Sequence, residues 1–187
     1  SGKSTQFKMT CDALSARGID FHKIVFPRYD KDSSALIRMY LNGEFGGNPG
    51  DVNAYTASVF YAVDRYASFV SDWRDYYNDG GLILADRYTT SNAVHQGSKL
   101  EGAEREEYFR WLSDLEYTKM GLPKPDMVIY MDVDIETSMN RMRKREKDTN
   151  THADIHEKDT EYLANCLRVA KSACGYYGWT AVPAKTP

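Results

Sequence analysis

The chain begins Ser1-Gly2-Lys3-Ser4-Thr5, "SGKST", and runs straight into "QFKMTCDALSARG" (6–18). Gly-Lys-Ser/Thr is the closing half of a phosphate-binding loop, whose full form is Gly, four residues, then Gly-Lys-Ser/Thr. Phe7, Cys11 and Leu14 follow at i, i+4 and i+7, so a core-facing helix is predicted over roughly 3–17, stopped by Gly18. In that setting Lys3 reaches the β- and γ-phosphates and the Ser4 hydroxyl ligates Mg²⁺. The helix start, Gly2 to Thr5, supplies backbone N–H groups and a positive dipole end. The competing reading is an ordinary helix start capped by a serine.

Four short apolar runs continue the pattern: "FHKIVF" (21–26), "GLILAD" (81–86), "DMVIYMDV" (126–133) and "WTAV" (179–182). The middle two are apolar on both faces, as strands covered on two sides should be. Amphipathic helices are predicted at 33–42, 53–78, 102–120, 135–146 and 156–174. Strand-helix alternation predicts an α/β fold with a parallel sheet flanked by helices. There are no repeats or linkers, so residues 1–187 read as a single domain. Hydrophobic residues make up 42% and aromatics 13% of the chain, enough for a real core. A net charge of −3 offers no general attraction to nucleic acid or anionic membrane. The three cysteines, Cys11, Cys166 and Cys174, lack metal-ligand spacing. With no apolar run of membrane-spanning length, the expectation is a soluble, cytoplasmic protein.

Charged residues then fall where such a fold uses them. Asp86 and Arg87 lie just past a buried strand, where open α/β sheets bind ligands. The carboxylate suits Mg²⁺ and the guanidinium suits a phosphate. Arg28, in "FPRYD" (26–30), is offered at another strand end by Pro27 and suits a second phosphate. In "NRMRKREK" (140–147), Arg141, Arg143 and Arg145 lead into the polar stretch "DTNTHADIHE". That combination predicts an arginine-bearing lid at about 143–156, able to close over transferring phosphates. On helix 53–78 the residues Tyr55, Val59, Ala62, Val63, Tyr66, Val70 and Trp73 form one apolar stripe. Tyr61 and Arg65 fall opposite it, placed to clamp a flat heterocycle. In "DRYTTSNAVHQG" (86–97), Asn92 and Gln96 can read a base edge and His95 can line a sugar pocket.

In combination these segments resemble the thymidylate kinases, P-loop enzymes that phosphorylate dTMP with MgATP. "GKST" matches the loop end, "FPRY" the acceptor-phosphate motif and "YAVDR" the aromatic-x-x-x-Arg of the long helix. "DRYTTSNA" matches the Asp-Arg-Tyr segment, and "DVDIETSMNRMRKR" leads into the lid. The resemblance implies that Gly2, Lys3, Ser4, Thr5 and Arg141 hold ATP. It implies Arg28, Tyr29 and Arg87 at the dTMP phosphate, Tyr61 stacked on thymine, and Arg65, Asn92 and Gln96 at its edge. His95 falls by the deoxyribose. Ser4, Asp86 and Glu157 fall by the metal, and Lys3, Arg87, Arg143 and Arg145 by the transferring group. A homodimer is also implied. The family's central strand and first loop half would lie upstream of residue 1, and further helical sequence after "WTAV". A sheet without that strand is expected to leave its neighbours' edges open. Another P-loop nucleoside or nucleotide kinase, and a non-catalytic nucleotide-binding homologue, stay open beside this reading.

Overall fold

A computed structural model describes residues 2–138, 140 and 160–184. Helix α1 (Lys3–Ala16) leads into strand β1 (His22–Val25), and a short helix α2 (Ala35–Leu41) follows. Helix α3 (Ala54–Ser68) continues through a π-helical turn, Phe69–Trp73, into α4 (Arg74–Asn78). Strand β2 (Ile83–Asp86) is followed by α5 (Thr89–His95) and α6 (Gly102–Ser113), and α6 is prolonged by a second π-helical segment, Asp114–Lys119. Strand β3 (Ile129–Asp132), helix α7 (Thr160–Tyr177) and strand β4 (Thr180–Pro183) complete the order. The fold is α/β with parallel strands flanked by helices, as the alternation predicts.

Among the described residues the strands form two parallel pairs. β1 pairs with β2 from His22↔Ile83 to Val25↔Asp86, and β3 pairs with β4 from Ile129↔Thr180 to Asp132↔Pro183. Among the described residues no strand joins β2 to β3. The expectation of two middle strands buried on both faces therefore differs from what is seen. Each pairs along one edge, and Leu82, Met127 and Ile129 stay exposed beside the uncovered side. Helix α1 follows the same logic. Phe7, Cys11 and Leu14 are its half-buried face, as their spacing predicts, but none of its residues is buried.

Among the described residues the core lies in three clusters. Ala54, Ala93, Tyr108, Phe109, Leu112, Val169 and Ala173 join α3, α5, α6 and α7. Ile24, Phe26, Phe69, Trp73, Tyr88 and Leu122 pack under β1 and β2. Tyr40, Val52 and Ala57 close the third, beneath the Gly-rich loop 42–50. Gly46 in that loop has φ 130°, and a Cβ there would overlap Asp51, so only glycine fits the close approach.

Helix α3 corrects the stripe predicted for it. Its buried face is Ala54, Ala57, Ser58, Ala62, Asp64, Arg65 and Ser68. Val59, Val63, Tyr66 and Val70 form instead an exposed apolar row. Small residues let α3 approach α5 closely, and two charged residues are tolerated inside because partners neutralise them. Among the described residues no helix is long and apolar enough to cross a membrane. Among the described residues none of the three cysteines is in a disulfide, and Cys166 is buried.

Candidate active site

The first turn of α1 meets the end of β2. Gly2 sits in the left-handed region at φ 81° and starts the helix without a side-chain cap, and Lys3, Ser4 and Thr5 form the first turn. The Ser4 hydroxyl donates to Asp86 Oδ2 at 3.3 Å across 82 residues of sequence. A hydroxyl and a carboxylate side by side are hard oxygen donors of the kind Mg²⁺ takes. Among the described residues no group of three or more His, Cys, Asp or Glu side chains could hold a metal, so the donor set here is small. Phosphate oxygens and water normally complete such a Mg²⁺ shell.

Arg87, next along, has φ 69° and is exposed. A non-glycine residue in that region costs on the order of 1–2 kcal/mol and persists only where its surroundings hold it. Nothing in the sequence signals this strain, and it turns the chain sharply between β2 and α5.

Arg28 is held from below. Its backbone N–H donates to Asp64 Oδ2 at 2.9 Å, its Nε lies 3.5 Å from Asp64 Oδ1, and its Nη2 donates to the Ser33 hydroxyl at 3.3 Å. The Ser33 hydroxyl in turn donates to Asp64 Oδ1 at 2.6 Å. Asp64 is buried on α3, so the long helix fixes the loop that follows β1. Tyr29 is exposed beside it, and its carbonyl accepts from Arg38 at 2.8 Å.

One residue further on α3, Arg65 donates through Nε and Nη2 to the two carboxylate oxygens of Glu116, each at 2.6 Å. The side chains are 2% and 0% exposed. Burial alone would lower the Arg65 pKa, but the Glu116 charge and hydrogen bonds overcome that and hold it above its ordinary value. The Thr89 hydroxyl also donates to Glu116, at 2.7 Å. Beside this pair, burial pushes the Tyr117 hydroxyl up to about 12 and raises that of Tyr88 further, so both stay protonated.

Asn92 and Gln96 lie one turn apart after β2, joined by a backbone bond from Gln96 N–H to the Asn92 carbonyl. Asn92 Nδ2 donates to the Ser58 carbonyl at 3.1 Å, and the Tyr108 hydroxyl donates to the Asn92 carbonyl at 3.1 Å. Gln96 is fully buried, and neither its amide oxygen nor its nitrogen has a partner among the described residues. Tyr61 is half-buried against Tyr40, Val52 and Ala57, while Phe60 engages Phe45 with ring centroids 5.7 Å apart. His95 is held by α7: its carbonyl accepts from the Tyr162 hydroxyl at 2.7 Å, and its Nδ1 lies 3.6 Å from Cys166 Sγ.

Thus Ser4 meets Asp86, while Arg28 and Arg65 are adjacent in support through neighbouring residues of α3. Arg141, Arg143, Arg145, Glu157 and the 143–156 lid lie outside the described residues. Sequence reasoning missed Asp64, Ser33 and Glu116. Asp64 had one available signal, its place beside Arg65 in "YAVDR". Glu116 had none, being 51 residues from its partner.

The thymidylate kinase family model matches residues 1–184. The chain is similar to the thymidylate kinase of Mycobacterium tuberculosis, at 29% identity over 86% of this chain and 75% of that protein. It is 32% identical to a probable thymidylate kinase of Methanobrevibacter smithii over 80% of this chain and 68% of that one. With a probable thymidylate kinase of Staphylothermus marinus the identity is 35%, over 83% and 67%.

Proposed function

The chain belongs to the thymidylate kinase family, and we propose that it transfers the γ-phosphoryl group of ATP to dTMP, giving dTDP and ADP, with Mg²⁺. A phosphate oxygen of dTMP attacks the γ-phosphorus, the bond from that phosphorus to the β,γ-bridging oxygen breaks, and ADP leaves. No protein nucleophile is needed, so the residues supply position and charge. Gly2, Lys3, Ser4 and Thr5 cradle the donor phosphates at the start of α1, with Lys3 against the β- and γ-oxygens. Ser4 and Asp86 would hold Mg²⁺, which neutralises phosphate charge when bound. Arg28, steadied by Asp64 and Ser33, and Arg87 hold the dTMP phosphate, with Tyr29 beside them. Tyr61 stacks on the base, Arg65 meets its 4-oxo group, and Asn92 and Gln96 read its edge. His95 lies against the sugar. Arg141, Arg143 and Arg145 act from the lid, with Glu157 near the metal.

The observation that carries this reading is the Gln96 amide, fully buried with both polar atoms unpaired among the described residues. An unpaired buried donor or acceptor costs about 1–3 kcal/mol each. A ligand edge that offers a carbonyl oxygen and an imide N–H removes that cost, as thymine does. The uncovered edges of β2 and β3 support a further strand between them, supplied from upstream of residue 1 within the same domain. The exposed row Val59, Val63, Tyr66 and Val70 supports a homodimer packed through α3. A cytoplasmic protein without nucleic-acid or membrane partners accords with the net charge of −3.

A coupled assay for ADP release tests the substrate, run on the full-length protein with dTMP, thymidine, dUMP, dCMP and dGMP as acceptors. Preference for dTMP is expected. Preference for thymidine would make the protein a nucleoside kinase, and tight dTMP binding without turnover would make it a non-catalytic homologue.

A further inference from the structure

Three donors converge on the Glu116 carboxylate: Arg65 Nε, Arg65 Nη2 and the Thr89 hydroxyl. These come from α3 and from the first residue of α5, so one buried side chain ties two walls of the acceptor side together. Glu116 lies within the π-helical segment Asp114–Lys119, marked by the Met120 N–H donating to the Leu115 carbonyl at 2.9 Å. A widened turn re-aims a side chain relative to an α-helix, and such turns recur at functional sites. The Leu122 N–H caps the Glu116 carbonyl at 2.9 Å, so the C-terminal end of the turn is pinned.

Arg65 carries five N–H donors in a rigid fork. Nε and Nη2 serve Glu116, and Nη1 makes no bond among the described residues. The charges also matter. An uncharged pyrimidine offers no counter-ion to a buried guanidinium, so the protein must supply one or lose the cation. Glu116 supplies it, leaving a neutral pair whose Nη1 keeps its donors. Such a fork attracts a 4-oxo group and repels a 4-amino group, whose own N–H would face it.

We propose that Glu116 is the positioning residue for acceptor selection: it neutralises and aims Arg65, so that the free side of the guanidinium meets a 4-oxo pyrimidine. This rests on the reading above that Arg65 meets the base. The fixed fork holds its geometry before the nucleotide arrives, so binding orders no side chain there.

The test compares Glu116→Gln, Thr89→Val and Arg65→Lys in the full-length protein, measuring kcat and KM for dTMP and dCMP with the melting temperature of each. Gln keeps the size of Glu116 but presents an amide N–H to donors. E116Q is expected to raise KM for dTMP about tenfold, with kcat within about threefold, and to lower the dTMP-over-dCMP preference about tenfold. T89V, which keeps the ion pair, is expected to move both quantities the same way by about two- to threefold. A lower melting temperature in E116Q with unchanged KM and preference would reduce Glu116 to a structural pair and overturn the proposal. Should E116Q fail to fold, an unchanged preference in T89V overturns it equally. R65K separates the two levels. Unchanged KM and preference in R65K would remove Arg65 from the base, and the proposal falls with that reading. A raised KM in R65K beside wild-type values in E116Q overturns the Glu116 role alone.

Discussion

The Ser4 hydroxyl donates to Asp86 Oδ2 at 3.3 Å, joining the first turn of α1 to the last residue of β2. If these oxygens share Mg²⁺, Asp86→Asn should lower kcat about 100-fold or more while dTMP affinity is retained, since the acceptor sits on other residues. Steady-state kinetics across Mg²⁺ concentrations and dTMP calorimetry check this. EDTA should bring the wild type to the level of the variant. Wild-type turnover in D86N would remove Asp86 from the metal.

Arg87 allows catalysis and backbone strain to be separated. At φ 69° its backbone favours glycine, whereas alanine is no better suited than arginine. Arg87→Gly and Arg87→Ala should both lose most of kcat, with the glycine variant more stable than the alanine one by about 0.5–1 kcal/mol. Thermal melts and turnover on both variants decide it. Equal stability would mean the strain is not stored there, and near wild-type turnover would remove the guanidinium from the chemistry.

Much of this architecture was legible in the sequence. The four strands and their helices follow from apolar runs broken by Gly and Pro, such as "GLPKP" (121–125) ahead of β3. Ser4 and Asp86, picked out separately, do meet. Helix α3 was harder, because periodicity counts Arg65 as polar and sends it outward. Its burial depends on Glu116, a tertiary partner that no local pattern contains. Asp64 carried only its place beside Arg65 as a signal, since its partners Arg28 and Ser33 lie more than 30 residues away. The Arg87 backbone strain and the two π-helical turns have no composition signal at all, because they arise from packing between elements rather than within them.

Lys99 should impose a pH dependence on stability. Its ammonium donates to the Tyr40 hydroxyl at 3.0 Å and the Val52 carbonyl at 2.7 Å, and burial lowers its pKa from 10.5 to about 8. The folded state therefore releases this proton before the unfolded chain does. Between about pH 8 and 10.5 the unfolded state binds more protons, so stability from this residue rises with pH. The rise should be on the order of 1–3 kcal/mol and absent in Lys99→Met. Buried tyrosines such as Tyr117 act oppositely above about pH 10, but identically in both proteins, so the difference between the two melting curves isolates Lys99. A difference that stays flat from pH 7.5 to 10 would contradict the assignment.

Val63 sits mid-row on the exposed apolar face of α3 and is 46% exposed. If that row is the dimer contact, Val63→Glu should convert a dimer to a monomer with little change in melting behaviour at low concentration, because no internal packing is lost. Sedimentation velocity over a concentration series checks it. A wild-type protein that is monomeric throughout would remove the dimer.

The central claim is transfer of a phosphoryl group onto dTMP, and following the phosphorus tests it most directly. The full-length protein, incubated with Mg²⁺, dTMP and ATP labelled at the γ-phosphate, should place the label on dTDP, and the Arg87→Ala protein should place almost none there. Label released only as inorganic phosphate, or carried by dTMP when thymidine is supplied instead, would contradict the account.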